Sequence, residues 1–540
     1  MSSADSLPSL PDFYAGKGIL LTGVTGFVGK VLLEKLLWEF CDPSGTSPMI
    51  YVLVRSSKEV SSEDRLADLL ESPAFQRIRG RQECSVNALS YCLRAVDGDL
   101  ERDHLGLPTY DELSGTVDVV LHCAALVDWA APLHRSLQTN AIGSKRVAEF
   151  AKAADARLVC VSTAWVHGMV AGKCPEVMLK RSIDPEAELA RCFSQLEEFQ
   201  QTSVQKKSMF LQEASHRLGP GSDLKSLETL AEEMRKKWID AQMAEWGVAH
   251  ARECGWWDGY TFSKAIAEML VQDIQDRTPF AIVRPSGVVS AASEPLPGWV
   301  DAYLLVEPLI EGVGRGEITQ FPGRSGCVID CVPVDYVCNV IIAAATMHGS
   351  DHGDGSPLVY QCASGDVCPN TLGEIESTWR QYFQSQPMHR DGKAVQVDPV
   401  RFVPSAEDFV RSLRLRYITP LWTCSQAVQL LPGWQHSNLL RSARSWLERK
   451  RRGVEKVTLL ARLYSTYTLN EWSFETSRTR ELMAAVAVPG SVPSNQGLPR
   501  PERFPYFAQG RPWDWTEFWT QKHIPGMRRW VLKESIPSRL

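Results

Sequence analysis

Short apolar runs alternate with stretches of helical spacing through the first third of the chain. Gly18-Ile19-Leu20-Leu21 ends at a glycine-rich turn, and apolar positions from Val28 to Trp38 then recur as on an amphipathic helix. Met49 to Val54, Val117 to Leu121 and Leu158 to Val161 are further apolar runs, and Ala281 to Val283 follows much later. Unbroken apolar runs fit strands covered on both faces, and strands alternating with helices make βαβ units. The pattern predicts an α/β fold around a parallel sheet.

Between His167 and Gly255 the alternation stops. Helical spacing in Glu186 to Glu198 and in Lys225 to Trp246, separated by Gly219-Pro220-Gly221, predicts a two-armed helical insertion over about 169–255. It reads either as a solvated bundle or as a lid or lipid-facing surface. The second reading rests on Met209, Phe210, Leu211, Met234 and Trp238. Residues 1–365 form the first domain on this pattern, and 366–450, rich in short helices and proline turns, a substrate or connecting region. The basic cluster Arg449-Lys450-Arg451-Arg452 opens a mainly helical C-terminal domain, 451–540. Its helical run is predicted to last to about Val488, before a linker from Pro489 to Pro501 and an aromatic tail.

Composition narrows the function. The 540 residues carry 58 Lys and Arg against 64 Asp and Glu, a net charge of −6, which argues against nucleic acid as the main partner. Hydrophobic residues at 44% and charged residues at 23% exclude a disordered or fibrous chain. The 14 cysteines show no C-x-x-C pair and read as reduced, buried thiols, and no His/Cys/Asp spacing points to a metal. Met1-Ser2-Ser3-Ala4-Asp5 lacks a basic stretch followed by an apolar run, so no secretory signal is expected. No run of about 18 apolar residues exists, so no spanning helix is expected either.

The strongest local feature is Thr22-Gly23-Val24-Thr25-Gly26-Phe27-Val28-Gly29, between the first strand and the first helix. Gly23 permits a tight turn, Gly26 lets a pyrophosphate approach the backbone, and Gly29 lets the helix pack on the strand. The helix N-terminus favours the anion. The expected fold is therefore Rossmann-type: a doubly wound parallel sheet with a helical insertion and a mainly helical C-terminal domain. The second strand ends Val54-Arg55-Ser56-Ser57-Lys58 with no carboxylate to read a free ribose 2′-hydroxyl. Arg55, with Ser56 or Lys58, points instead to a 2′-phosphate and so to NADPH.

Tyr260 and Lys264 stand four apart in Tyr260-Thr261-Phe262-Ser263-Lys264, on one face of a helix. An ammonium beside the phenol is expected to lower its pKa, making Tyr260 a proton donor or acceptor near neutral pH. Thr163, in Val161-Ser162-Thr163-Ala164, ends a strand where its hydroxyl can reach a substrate carbonyl oxygen.

Together these residues resemble the extended short-chain dehydrogenase/reductase superfamily and, within it, the fatty acyl-CoA reductases that make fatty alcohols. The likeness runs through Thr22 to Gly29, Val54-Arg55, Gly98-Asp99-Leu100, His122-Cys123-Ala124-Ala125, Asn140 in Gln138 to Gly143, and Ser162-Thr163-Ala164. It continues in Tyr260 to Lys264, Val283 to Val289, Pro297 to Asp301 and Asp330 to Val337. In the C-terminal half it covers Trp472 to Glu475, Trp513-Asp514-Trp515 and Gly526 to Glu534. Ser263 replaces a common threonine, and the gap of about a hundred residues from Thr163 to Tyr260 is longer than in ordinary superfamily members.

The resemblance implies that Thr22, Gly23, Thr25, Gly26, Phe27, Val28 and Gly29 hold the pyrophosphate and Arg55 the 2′-phosphate. Asp99 and Leu100 would flank the adenine and Ala124 the ribose-phosphate path. Pro285 and Val288 would line the nicotinamide, Lys264 the ribose, and Asn140 would support the site. Tyr260, Lys264 and Thr163 would be catalytic, and the Trp/Phe-rich C-terminal part would face the acyl chain or serve as core. The implied activity is NADPH-dependent reduction of a long-chain fatty acyl-CoA to a primary alcohol through an aldehyde, for wax or ether-lipid synthesis. A reductase stopping at the aldehyde would carry the same residues. A sugar-nucleotide epimerase shares the cofactor fold but has no need of the C-terminal domain; an acyl-binding scaffold has no need of Thr163, Tyr260 and Lys264. Peripheral membrane contact is compatible with such a substrate, and no oligomeric state is implied. Ser538-Arg539-Leu540 resembles the peroxisomal Ser-Lys-Leu address, with cytoplasm as the alternative.

Overall fold

The computed structural model describes residues 9–43, 45–81, 85–219, 221–274, 279–303, 305–347, 358–434, 436–487, 504–507 and 513–534. Seven strands form its central sheet: β1 (Gly18–Thr22), β2 (Met49–Val54), β3 (Leu93–Asp97), β4 (Val119–His122), β5 (Arg157–Val161), β6 (Phe280–Pro285) and β7 (Leu358–Cys362). All pair in parallel, in the order β3-β2-β1-β4-β5-β6-β7. Every residue of β1, β4, β6 and β7 is buried, as the unbroken apolar runs require. Strand order reverses between β1 and β4, which opens a crevice at their C-terminal ends. The expected doubly wound α/β sheet is what the structure contains.

Helix α1 (Phe27–Phe40) leaves the glycine-rich turn. Three helices fill the insertion, α2 (Pro185–Gln205) and α3 (Lys207–Leu218) ahead of the expected break and α4 (Leu224–Glu253) after it. The extra break falls at Lys206, where no glycine or proline marks it. Asp184 caps α2 through the amides of Glu186 and Ala187, and Asp223 caps α4 through that of Ser226. The inner stripe, including Leu189, Ile239 and Met243, packs against Phe262, Ile266 and Leu270 of α5 (Gly259–Ile274). Phe210, Leu211, Met234 and Trp238 form a satellite core of their own, which leaves only Met209 of the five lid candidates exposed.

Helix α6 (Val334–Ala344) is buried along its whole length. Helix α7 (Asn438–Leu469) runs straight through the basic cluster, so no boundary falls at residue 451. Lysine and arginine are good helix formers, and the start is set earlier, where Ser437 caps the amide of Leu440. The helical run is interrupted on the way: Trp472–Phe474 is a strand, parallel to Gly172–Cys174, ahead of α8 (Ser477–Ala487). In the tail, Trp515, Phe518 and Trp519 pack with Tyr336 and Trp379 in the main core, so these aromatics are core rather than an acyl-facing surface. Pro489 to Pro501 and Ser538-Arg539-Leu540 lie outside the described residues.

One buried ion pair fixes α5 to β6. Arg284 donates to Glu268 through Nε at 2.9 Å and Nη2 at 2.6 Å, with both side chains buried. Removing one partner strands the other charge in the core, which costs about 3–5 kcal/mol. Glu268→Ala is expected to lose that much in urea unfolding, with Glu268→Met/Arg284→Met recovering most of it. A loss below about 1 kcal/mol for the single variant would contradict this assignment.

Candidate active site

The crevice is a cleft of about 1000 Å³. Gly23 has a φ of +81°, and a Cβ there would fall 2.5 Å from the Ala124 nitrogen. At Gly29 a Cβ would lie 2.1 Å from the Gly23 carbonyl oxygen, so helix and turn touch there as the motif requires. Gly26 is different: its nearest atom would be that same oxygen at 3.3 Å. Its bare face lines the cleft, at the N-cap of α1, with no side chain capping the helix. Thr22, Thr25, Phe27 and Val28 line the same wall. Open amides at a helix start, beside a face without side chains, fit a pyrophosphate.

Behind the turn lies a buried polar chain. The Thr22 hydroxyl bonds His122 Nδ1 at 2.8 Å, and His122 Nε2 bonds the Ser144 hydroxyl at 2.9 Å. The Ala124 amide donates to Thr22 Oγ1 at 3.3 Å. Burial pushes the His122 pKa down to about 3, with a smaller contribution from Lys264, so the ring is neutral and holds β1 to β4 at the switch point.

At the adenosine end, Arg55 is 61% exposed and its Nη1 stands 3.8 Å from Asp99. Leu100 and Gly98 complete this wall. Arg65 also lines the cleft and donates to the Arg55 carbonyl oxygen. The sequence offered no signal for it, because it stands on the next helix, Ser62–Leu70. Ser56 is engaged elsewhere: its amide and hydroxyl both bond Asp97 at 2.7 Å. Lys58 does not line the cleft.

Tyr260, Lys264 and Thr163 meet in the same cleft as Ala124, Pro285 and Val288. The Thr163 side chain stands beside Tyr260, close enough to pull its pKa down slightly. Lys264 Nζ donates to the Val161 carbonyl at 2.8 Å, which anchors it to the end of β5. The expected lowering of the Tyr260 pKa is not what this arrangement produces. Burial raises it well above the usual phenol range, and the nearby Asp258 charge raises it further, against the pull of Thr163. Tyr260 is thus a neutral phenol, a hydrogen-bond donor to an oxygen that gains charge. Asn140 does not line the cleft. Its Oδ1 accepts from the Leu126 amide at 2.7 Å, and its Nδ2 donates to Leu126 O at 3.1 Å and to Ser263 Oγ at 3.0 Å. It ties the cleft wall at Leu126 to α5 at Ser263.

Other contributors were hidden by chain separation. Asp258 caps α5 through the Thr261 amide at 2.8 Å and accepts from the Tyr467 hydroxyl at 3.4 Å, 209 residues away. Trp129 and Trp165 line the cleft and rest on Tyr464 and Tyr467 of α7, with ring centroids 5.0–5.6 Å apart. Phe193 of the insertion lines it too. Glu188, His250 and Cys254 bring their ligand atoms within 4.8 Å of one another, outside this cleft. His250 and Cys254 stand four apart at the end of α4, but Glu188 comes from α2, so sequence spacing does not show the whole group, and His250 and Glu188 already share a 2.6 Å bond.

Fold and site define a Rossmann-type reductase with a nicotinamide-dinucleotide cleft. The chain belongs to the family described as "Male sterility protein" (NAD_binding_4), whose family model matches residues 21–341. It is 29% identical to "Probable fatty acyl-CoA reductase 5" of Arabidopsis thaliana, over 97% of this chain and 99% of that one. It is 26% identical to the "Alcohol-forming fatty acyl-CoA reductase" of Simmondsia chinensis, over 98% of this chain and 100% of that one. Among solved structures it is similar to the terminal R domain of the myxalamid PKS-NRPS pathway. The TM-score is 0.55 at 17% identity, covering 97% of this chain and 93% of that one, a likeness of fold.

Because Tyr260 is held above the ordinary phenol value, it stays protonated and its acid role is lost only as pH rises past that raised value. Carbonyl reduction should therefore show no fall with pH between roughly 6 and 9 that depends on this residue. Tyr260→Phe should lower turnover about 10²–10⁴-fold while coenzyme binding, read by nicotinamide fluorescence, is unchanged. Turnover within threefold of the parent would remove Tyr260 from the chemistry.

Proposed function

We propose that this protein reduces long-chain fatty acyl-CoA to a primary fatty alcohol, through an aldehyde, using NADPH. The observation that carries the reading is Thr163, Tyr260 and Lys264 converging in one cleft with the glycine-rich turn. The full-length match to relatives named fatty acyl-CoA reductases supports the substrate. Arg55 and Arg65, with no carboxylate at the end of β2, support the phosphorylated coenzyme.

Bound in this cleft, a reduced nicotinamide supplies hydride. The hydroxyls of Thr163 and Tyr260 donate to the thioester oxygen as it gains charge, where fixed donors act most strongly. Tyr260 then passes its proton to that oxygen. Lys264, held by Val161, keeps its positive group on the same helix face. The hemithioacetal breaks its C–S bond, coenzyme A leaves as the thiol, and an aldehyde remains. The same two hydroxyls serve the aldehyde oxygen in a second reduction. A reductase stopping at the aldehyde would use the same residues; the name of the Simmondsia relative favours the alcohol.

With palmitoyl-CoA, two NADPH should be consumed per alcohol formed, and NADH should be a poor donor. Arg55→Ala should raise KM for NADPH about tenfold or more and leave that for NADH alone, since a charge-assisted bond is worth about 1.5–3 kcal/mol. One NADPH with aldehyde as sole product would give the alternative; no turnover at any chain length would overturn the acyl-CoA assignment.

Ser538-Arg539-Leu540 supports peroxisomal delivery, with cytoplasm as the alternative. An amino-terminally tagged protein should be punctate, and deletion of Leu540 should make it diffuse. Puncta that survive the deletion would exclude this tripeptide as the address.

A further inference from the structure

We infer that the helical hairpin spanning residues 406–469 docks the protein on an anionic lipid bilayer. Its first arm runs through Ala406–Leu413 and Thr419–Leu430, and its second is α7. The arms are joined side by side, with Ser425 Oγ donating to Glu448 at 2.6 Å. Between 406 and 469 the chain holds eleven Lys and Arg against four Asp and Glu, an excess of seven positive charges in a protein of net −6. Three of those acids are engaged within the hairpin: Glu448 and Glu455 by Arg451 at 2.9 and 2.6 Å, and Asp408 by Arg411 at 3.4 Å. Arg414, Arg416, Arg441, Arg449, Lys450 and Arg452 are exposed.

The same hairpin also exposes apolar side chains. Half of the sixteen large hydrophobic side chains exposed among the described residues lie between Leu415 and Leu459. They include the two exposed tryptophans, Trp422 at 51% and Trp446 at 52%, and Leu430 and Leu439 at 85% and 79%. Tyr417, Leu421, Trp446 and Lys450 line an open groove of about 420 Å³ between the arms. A basic surface with exposed tryptophan and leucine is the composition that lies in a membrane interface, its rings at headgroup depth. A nucleic acid would use the cations but not the leucines. A second copy would set one positive face against another. None of the described helices is long and apolar enough to cross a membrane, so the contact is with the surface.

Docking of this kind does not depend on the acyl-CoA reading. The full-length protein should float with phosphatidylcholine vesicles containing about 30% phosphatidylserine, and at least tenfold less with phosphatidylcholine alone, since each cation near an anionic surface is worth about fivefold. Raising salt from about 0.1 to 0.5 M should weaken the binding. Arg449→Glu/Arg452→Glu should lose at least tenfold on the anionic vesicles, and Trp422→Ser/Trp446→Ser should lose binding while circular dichroism and coenzyme binding are unchanged. Flotation equal on both vesicle types, flotation that survives both variants, or no flotation at all would overturn the inference. So would binding confined to RNA, or a dimer that the tryptophan variant turns into monomer without any vesicle binding.

Discussion

The fork between Arg284 and Glu268 sets where the chemistry can happen. Arg284 stands on β6 and Glu268 on α5, the helix that carries Tyr260 and Lys264. A guanidinium and a carboxylate meeting through two parallel bonds define an orientation as well as a distance. Arg284 Nη1 also donates to the Val177 carbonyl at 2.9 Å, so the chain entering the insertion is tied to the same point. Thr163 approaches from β5, the strand next to β6. The relation between Thr163 and Tyr260 therefore rests on a buried pair that the sheet and the helix share.

Other buried carboxylates do for the loops what this pair does for the helix. Glu176 accepts from the amides of Gln361, Arg478 and Thr479 at 2.9, 2.6 and 3.1 Å, joining the insertion's first strand, β7 and α8. Asp335 accepts from the amides of Ala292, Ser293 and Glu294, and Asp330 from those of Ser364 and Gly365. Burial raises each carboxyl, Asp330 to about 6, and the amide bonds pull back against it. Backbone donors that a loop would otherwise leave unpaired find a partner, and segments 34 to 303 residues apart are tied together.

What the sequence made legible was local. The turn from Thr22 to Gly29, Thr163 just past the end of β5 and the four-residue step from Tyr260 to Lys264 each state their geometry in adjacent residues. Arg65, Phe193, Asp258 and the aromatic pair Trp129 and Trp165 carry no such mark, because their partners lie on other elements. The Tyr260 pKa shows the same limit. Spacing puts Lys264 on the right face, but the direction of the shift comes from burial and Asp258, which spacing does not report. The break at Lys206 and the strand at Trp472–Phe474 are tertiary outcomes: the strand exists because Gly172–Cys174 is there to pair with it.

Helix α7 joins two problems that an acyl-chain reductase would face. Its C-terminal end supplies Tyr464 and Tyr467, which back the cleft tryptophans, and its N-terminal end carries the exposed Leu439 and Trp446. At 1.5 Å per residue, Leu439 and Tyr467 lie roughly 40 Å apart on one helix. A long acyl chain has little solubility outside a bilayer, and its thioester must still reach Tyr260. Because Tyr467 bonds Asp258, the cap of the helix bearing Tyr260, the rod proposed to meet lipid at one end is fixed to the Tyr260 helix at the other. On that proposal the orientation of the cleft relative to the bilayer would be set by a continuous helix and the Tyr467–Asp258 hydrogen bond rather than by a flexible linker.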